Sequence, residues 1–506
     1  MPTNPAINPT GQKSWENRHL TFKQPVDGLY DMWNADHDDL IEGYNAMTAA
    51  VQDFIRSAIR DKTTVRALGA GWSWTRIAAT DGRILNTKGL NQKFNISASS
   101  VSPRYTGSPQ HLLFAQCGVS VQEINHFLRT KNQCLRTSGA SNGQTIAGAL
   151  STGTHGAAFD FGAIPEYVVG LHLITGPDRH VWLERASYPV IADSMAERLG
   201  AELLRDDDLF NAALVSFGSF GFIHGILLET DDIFLLECHR QKRAFDAPMR
   251  ELLETLDFNL PVELPYGNER PYHLQALVNP YNLKGGAFIN TMYKRPYGRE
   301  YRAPDISSDG FAPGDDGPAF IGGLGDVVSA LVPLTVNTLL KTEYKPFSDV
   351  WGIPGEIFNN VTTHGKVLSA AFAVPLEHVN RTTDLMLALN HTEGPFNGVF
   401  AYRFVKSTTA TLGFTKFEPV SCVMEMDGMY SNGNVRFCKK VWDAMDLERI
   451  PFTSHWGKVS DLSPARLETM YGDKLSAWKA ARKKLLDAES LTVFTNPQIV
   501  EWGLNG

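Results

Sequence analysis

Short strand-like runs alternate with stretches of helical spacing through the first half of the chain. Residues 64–68, 111–115, 167–174 and 226–229 are dense in consecutive or alternating apolar positions, whereas 44–59 and 121–131 place apolar side chains every three or four residues. The alternation predicts an α+β fold whose first part binds a ligand. A Pro-, Gly- and Asp-rich stretch at 299–317 predicts a long loop, and 376–390 has the spacing of an amphipathic helix. Residues 402–405 and 421–426 alternate apolar with polar, the pattern of strands that show one face to a ligand. The longest apolar stretch, 320–340, is broken by glycines, Asp326, Pro333 and Asn337, so it reads as a buried helix or a lid rather than a membrane span.

A chain of 506 residues with 43% apolar side chains can bury a large core and is long enough for more than one domain. Its net charge of -8 argues against the basic face that a nucleic-acid partner needs. Residues 1–16 are polar and Pro-rich, with no basic segment leading into an apolar one; they predict a solvated tail and no secretory signal. Cys117, Cys134, Cys238, Cys422 and Cys438 are odd in number and widely spaced, which predicts reduced structural thiols in a cytoplasmic protein. No histidine falls at a ligand spacing beside them or beside carboxylates, so no metal site is expected.

Candidate chemistry concentrates in two loops of small residues. The run at 144–156 contains Thr145, Gly148, Ser151, Thr152, Gly153, His155 and Gly156. Backbone this bare can lie directly against a flat or anionic ligand, with hydroxyls and amides to hydrogen-bond it. Upstream, the strand-like run 64–68 leads into Gly69, Ala70, Gly71, Trp72 and Ser73, a turn of the kind whose amides cradle a diphosphate. Trp74 stands where a dinucleotide-binding βαβ turn has its third glycine, so that motif is excluded. On spacing alone each loop is equally an ordinary surface turn.

Taken together, residues 66–73, 116–120, 145–156, 217–223, 402–406 and 455–458 resemble the vanillyl-alcohol oxidase flavoprotein superfamily, in its sugar and aldonolactone oxidase branch. The likeness is faint over 241–400. It implies a two-domain PCMH-type FAD-binding fold: an FAD-binding domain at 1–240, a substrate domain built on a mixed sheet at 241–449, and a segment at 450–506 that returns to the first domain. It also implies FAD held by the residues of the two loops together with Gly221, Ile223, His455 and Lys458. Arg403, on a substrate-domain strand, and Lys458, of His455-Trp456-Gly457-Lys458, match the cations that such sites place near the reacting carbon. Fixed positive charge there offsets the negative charge that develops as hydride leaves for a flavin. Read without the resemblance, both are as readily solvated or ion-paired side chains.

The chain departs from the family pattern at two positions. Relatives that attach FAD covalently have a histidine just before the serine of the first loop; here that residue is Trp72, and an indole cannot form the bond, so non-covalent FAD is expected. His155 is the conceivable substitute, although relatives keep that histidine for packing. Relatives also carry a glutamate two residues before the arginine, where this chain has Ala401-Tyr402-Arg403. Alternation puts Glu425 and Asp427 on one face of the following strand as candidates for the missing base, with Tyr402 as a further one; their other reading is the exposed edge of a sheet. Thr145 stands where relatives place a serine that touches substrate or flavin. Met424, Met426 and Met429 either line a less polar pocket or belong to the core.

The expected activity is oxidation of the CH–OH group of a polyol, sugar, lactone or larger alcohol, by hydride transfer to FAD with O2 as acceptor and hydrogen peroxide as product. The alternatives are a dehydrogenase passing electrons to a quinone or cytochrome, a flavin-dependent cyclase or reductase, and a flavin-fold binding module without redox turnover.

Overall fold

The computed structural model describes every residue except 1–3, 299, 306–312, 315–327, 362, 364 and 506. Most of the loop expected at 299–317 and the first part of the apolar stretch 320–340 therefore lie outside the described residues. The remainder of that stretch enters a helix, Val332–Thr342, with Val332, Val336 and Leu340 buried one turn apart against Leu277 and Phe288. No described helix is long and apolar enough to cross a membrane.

Two sheets fill the first half of the chain. In the first, Gly28–Trp33, Arg83–Asn86 and Val65–Leu68 run parallel, and Ala6–Pro9 adds an antiparallel edge. The second runs Glu202–Arg205, His180–Glu184, Val168–Ile174, Phe222–Glu229, Leu112–Gln116, Lys93–Asn95. Val168–Ile174 and Leu112–Gln116 are buried at every residue, which is why they read as dense apolar runs, broken only by His172 and closed by Gln116. Helix Leu40–Arg60, capped by the Asp39 carboxylate on the Ile41 amide, packs its stripe of Tyr44, Met47, Val51 and Ile55 into this core. Each such side chain, moved out of water, contributes roughly 1.5–3 kcal/mol.

The tail expected over 1–16 is not wholly solvated. Ala6–Pro9 pairs with Gly28–Trp33, and Ser14–Glu16 forms a hairpin with Lys23–Pro25. Ile7 and Trp15 anchor these pieces on the core, a pattern too short for periodicity to show.

The third sheet orders Phe347–Gly352, Phe234–Arg243, Ala287–Pro296, His273–Val278, Gly398–Lys406, Val420–Met429, Val367–Pro375, Thr453–Ser454. Every pairing in it is antiparallel, not mixed as expected. Helices Ala247–Thr255, Val379–Thr392 and Asn432–Leu447 cover one face, burying Phe400, Tyr402, Met424 and Met426. The opposite face, which carries Arg403 and Glu425, turns toward the first two sheets. After Thr453–Ser454 the chain leaves the sheet and its last helices settle on the first half. Trp478 donates to the Val215 carbonyl, and Asn496 donates to the carbonyls of Arg76, Ile77 and Ala79. All five cysteines are buried and free.

Candidate active site

The strand Val65–Leu68 ends in the bare turn, where Gly71 sits at φ +70°. A side chain at Gly69 would collide with the Thr145 hydroxyl, so the absence of one lets this turn lie against the start of the short helix Ile146–Ser151. The two loops thus form one wall. Gly69, Ala70, Gly71, Trp72, Ser73, Thr145, Gly148, Ser151, Thr152, His155, Gly221, Ile223, Arg403, His455 and Lys458 all line a single cleft of about 1430 Å³, counting its open mouth. Gly153 and Gly156 are not on that surface: Gly153 faces Phe414, and Gly156 is packed on Thr137 and Ser138.

The cleft wall carries polar groups that the chain does not satisfy. Among the described residues, the amides of Ala70, Gly71, Trp72 and Ser73 donate to no protein acceptor. Trp72 Nε1, Gln144 Oε1, Thr363 Oγ1 and Ser369 Oγ are buried there without a hydrogen-bond partner. A buried donor or acceptor left unpaired costs about 1–3 kcal/mol, so such a row marks the outline of a polar ligand.

At one end stands a charged cluster drawn from three elements. Glu425, fully buried on the interior strand Val420–Met429, accepts a hydrogen bond from Lys458 Nζ and lies 3.4 Å from an Arg403 guanidinium nitrogen. Burial alone would raise its pKa, but the Arg403 and Lys458 charges outweigh that and hold the carboxyl well below the usual carboxylate range. His155 Nδ1 donates to the Gly156 carbonyl at 2.9 Å, and its Nε2 is 3.9 Å from Glu425. Burial pulls this imidazole down to about 3, against the upward pull of Glu425, so it is neutral. His455 accepts the Gly457 amide at Nδ1, which leaves its proton on Nε2; burial, then Lys458, keeps it uncharged as well. The cluster therefore holds two cations against one carboxylate.

The structure decides among the alternatives that the sequence left open. Glu425 lies behind the cations rather than on the cleft surface, and a carboxylate stabilised by two positive charges is a poor proton acceptor, so the geometry does not suit it to be the base. Tyr402 points to the helix-covered face and pairs with Thr383 at 3.1 Å, which removes it from the site. Met424 and Met426 are core residues on that same face. Glu425 and Asp427 do share a face, but on a strand paired on both sides, not at an exposed edge.

Comparison with known proteins gives this cleft its context. Residues 46–183 match the family described as FAD binding domain. Over that stretch the chain is similar to an FAD-binding domain. Over 248 residues, 49% of this chain and 47% of the relative, it is 28% identical to L-gulono-1,4-lactone dehydrogenase of Mycobacterium tuberculosis. Over 204 residues, 40% of this chain and 33% of the relative, it is 22% identical to D-arabinono-1,4-lactone oxidase of Debaryomyces hansenii. The matched part spans under half the length of either. The chain shares its fold with cholesterol oxidase from Brevibacterium sterolicum: TM-score 0.68, 16% identity, 99% of this chain and 98% of that one.

The residues present fit FAD. Open amides such as those of the first turn would suit the acceptors of its phosphates and ring edge, and unpaired groups such as those of Gln144 and Ser369 would suit the donors and acceptors of its heterocycle. Sequence reasoning missed several residues of this wall. Arg66 donates to the Ile77, Phe217 and Gly218 carbonyls and so ties the first turn to the loop before Gly221. Trp15 reaches the cleft from the N-terminal hairpin. Ser369 had a signal: it is a lone hydroxyl early in the apolar strand Val367–Pro375, where burial demands a partner.

Proposed function

We propose that this chain is an FAD-dependent oxidoreductase of CH–OH donors, oxidising a lactone, sugar, polyol or larger alcohol, with O2 as the acceptor and hydrogen peroxide as product, in the reducing cytoplasm. The observation that carries the reading is the placement of Arg403 and Lys458 on the same cleft as the two bare loops. FAD, when bound, supplies the hydride acceptor. The amides of residues 70–73 would hold its diphosphate, and Thr145, Thr152 and His455 would meet its ring system. Arg403 and Lys458 supply fixed positive charge, which would lower the cost of building negative charge beside the reacting carbon and at the ring edge. Neutral His455 offers an Nε2 proton as a further donor. The printed activities of the relatives, lactone dehydrogenase and lactone oxidase, support this donor class.

The test is anaerobic mixing of the FAD-loaded protein with L-gulono-1,4-lactone, D-arabinono-1,4-lactone and a linear polyol. Loss of the visible flavin band with one of them supports the reading; no bleaching by any hydroxylated donor overturns it. Admitting air then separates the acceptors, because an oxidase re-oxidises within turnover time and yields one peroxide per donor, whereas a dehydrogenase needs an added quinone or cytochrome.

A further inference from the structure

We infer that Glu425 is a positioning residue, a buried counter-ion that fixes Arg403 and Lys458 at the cleft and lowers the reduction potential of the flavin held there. The inference rests on the FAD reading of this site. Glu425 faces Ala401 on one neighbouring strand and Ala371 on the other. Two methyl groups leave the carboxylate room to lie over the sheet, and it uses that room to meet a lysine from the loop after Thr453–Ser454 and an arginine from Gly398–Lys406. Both cations reach the cleft surface while the carboxylate does not.

The electrostatic consequence has a definite sign. With Glu425 ionised and His155 and His455 neutral, the cluster presents one net positive charge to the flavin; without that carboxylate it would present two. Reduction adds negative charge to the ring, so each unit of positive charge in a buried wall makes reduction easier. Glu425 therefore holds the potential down, and Lys458 holds it up. A residue whose only duty is packing would not produce opposite shifts from the two halves of one ion pair.

The experiment is equilibration of the FAD-loaded protein with a reference redox dye under anaerobic conditions. Glu425→Gln, which keeps an oxygen for Lys458 and loses the charge, is expected to favour two-electron reduction at least tenfold, an upward shift of about 30 mV. Lys458→Met is expected to disfavour it at least tenfold, and the double variant to return near the wild type. An unchanged potential, or a shift of the wrong sign, in either single variant overturns the inference. If Glu425→Gln alone does not fold, the step from Lys458→Met to the double variant measures the same charge and must also rise tenfold. A wild-type chain that takes up no FAD defeats the reading of the site itself.

Discussion

Ala401 and Glu425 are directly opposed across adjacent antiparallel strands, Gly398–Lys406 and Val420–Met429. The position where resembling sequences carry a glutamate holds a methyl group, and a carboxylate occupies the same face one strand over. Cross-strand neighbours sit about 4.5–5.5 Å apart at Cβ, so only one of the two can hold an ionised carboxylate at low cost. Ala401→Glu is expected to lower thermal stability by about 1–3 kcal/mol through overpacking and like-charge repulsion. Ala401→Glu with Glu425→Ala should recover most of that loss in a melting experiment. A double variant no more stable than Ala401→Glu would mean that the two positions do not share one space.

Arg403→Ala and Lys458→Ala are each expected to slow anaerobic flavin reduction by roughly 10²-fold or more, on the scale of losing one oxyanion-type donor. Stopped-flow mixing with a donor that bleaches the wild-type protein measures this. Normal rates in both variants would remove the charged cluster from the chemistry.

The flavin is expected to be dissociable, since Trp72 stands before Ser73 and an indole forms no link to the ring. Acid precipitation of the yellow protein should leave the colour in the supernatant. Colour retained in the pellet would point instead to His155 or a cysteine as the attachment residue.

Stability should fall steeply with acid. His155, His224 and His273 are buried and held down to about 3 by desolvation, while in the unfolded chain each returns to its ordinary value near 6.5. Between those values the unfolded state binds the extra proton, so stability present above pH 6.5 is lost as pH falls toward 3, at up to about 1.4 kcal/mol per pH unit for each group. His224 makes this separable, because it pairs with Thr48 and Gln116 away from the charged cluster. Melting curves from pH 7 to pH 5 should show a shallower decline in His224→Gln than in the wild type; parallel declines would refute its part.

Elements buried on every side were the easiest to read. Residues 167–174 and 111–115 gave dense apolar runs, with only His172 and His111 polar, because both faces of those strands are covered, and the stripe of helix Leu40–Arg60 repeats often enough to reveal its period. The strand at 421–426 was legible too, but not which face meets the cleft: Met424 and Met426 look as suited to a pocket as to a core, and only the helices packed on them decide it. That Glu425 lies opposite Ala401 depends on a register set by the connection from Lys406 to Val420, which no local pattern encodes. The N-terminal hairpin was invisible because Trp15 and Arg18 act singly, Arg18 over the Trp72 ring at 4.4 Å and bonded to the Thr363 carbonyl.

Asn496 clasps the carbonyls of Arg76, Ile77 and Ala79 from 420 to 417 positions further along the chain. The backbone just after the first bare turn is thus completed by a side chain that lies far along the sequence. That wall of the cleft cannot take its final form until the segment around Asn496 has docked on it, so the shape of the cleft depends on a long-range closure and not on the two loops alone.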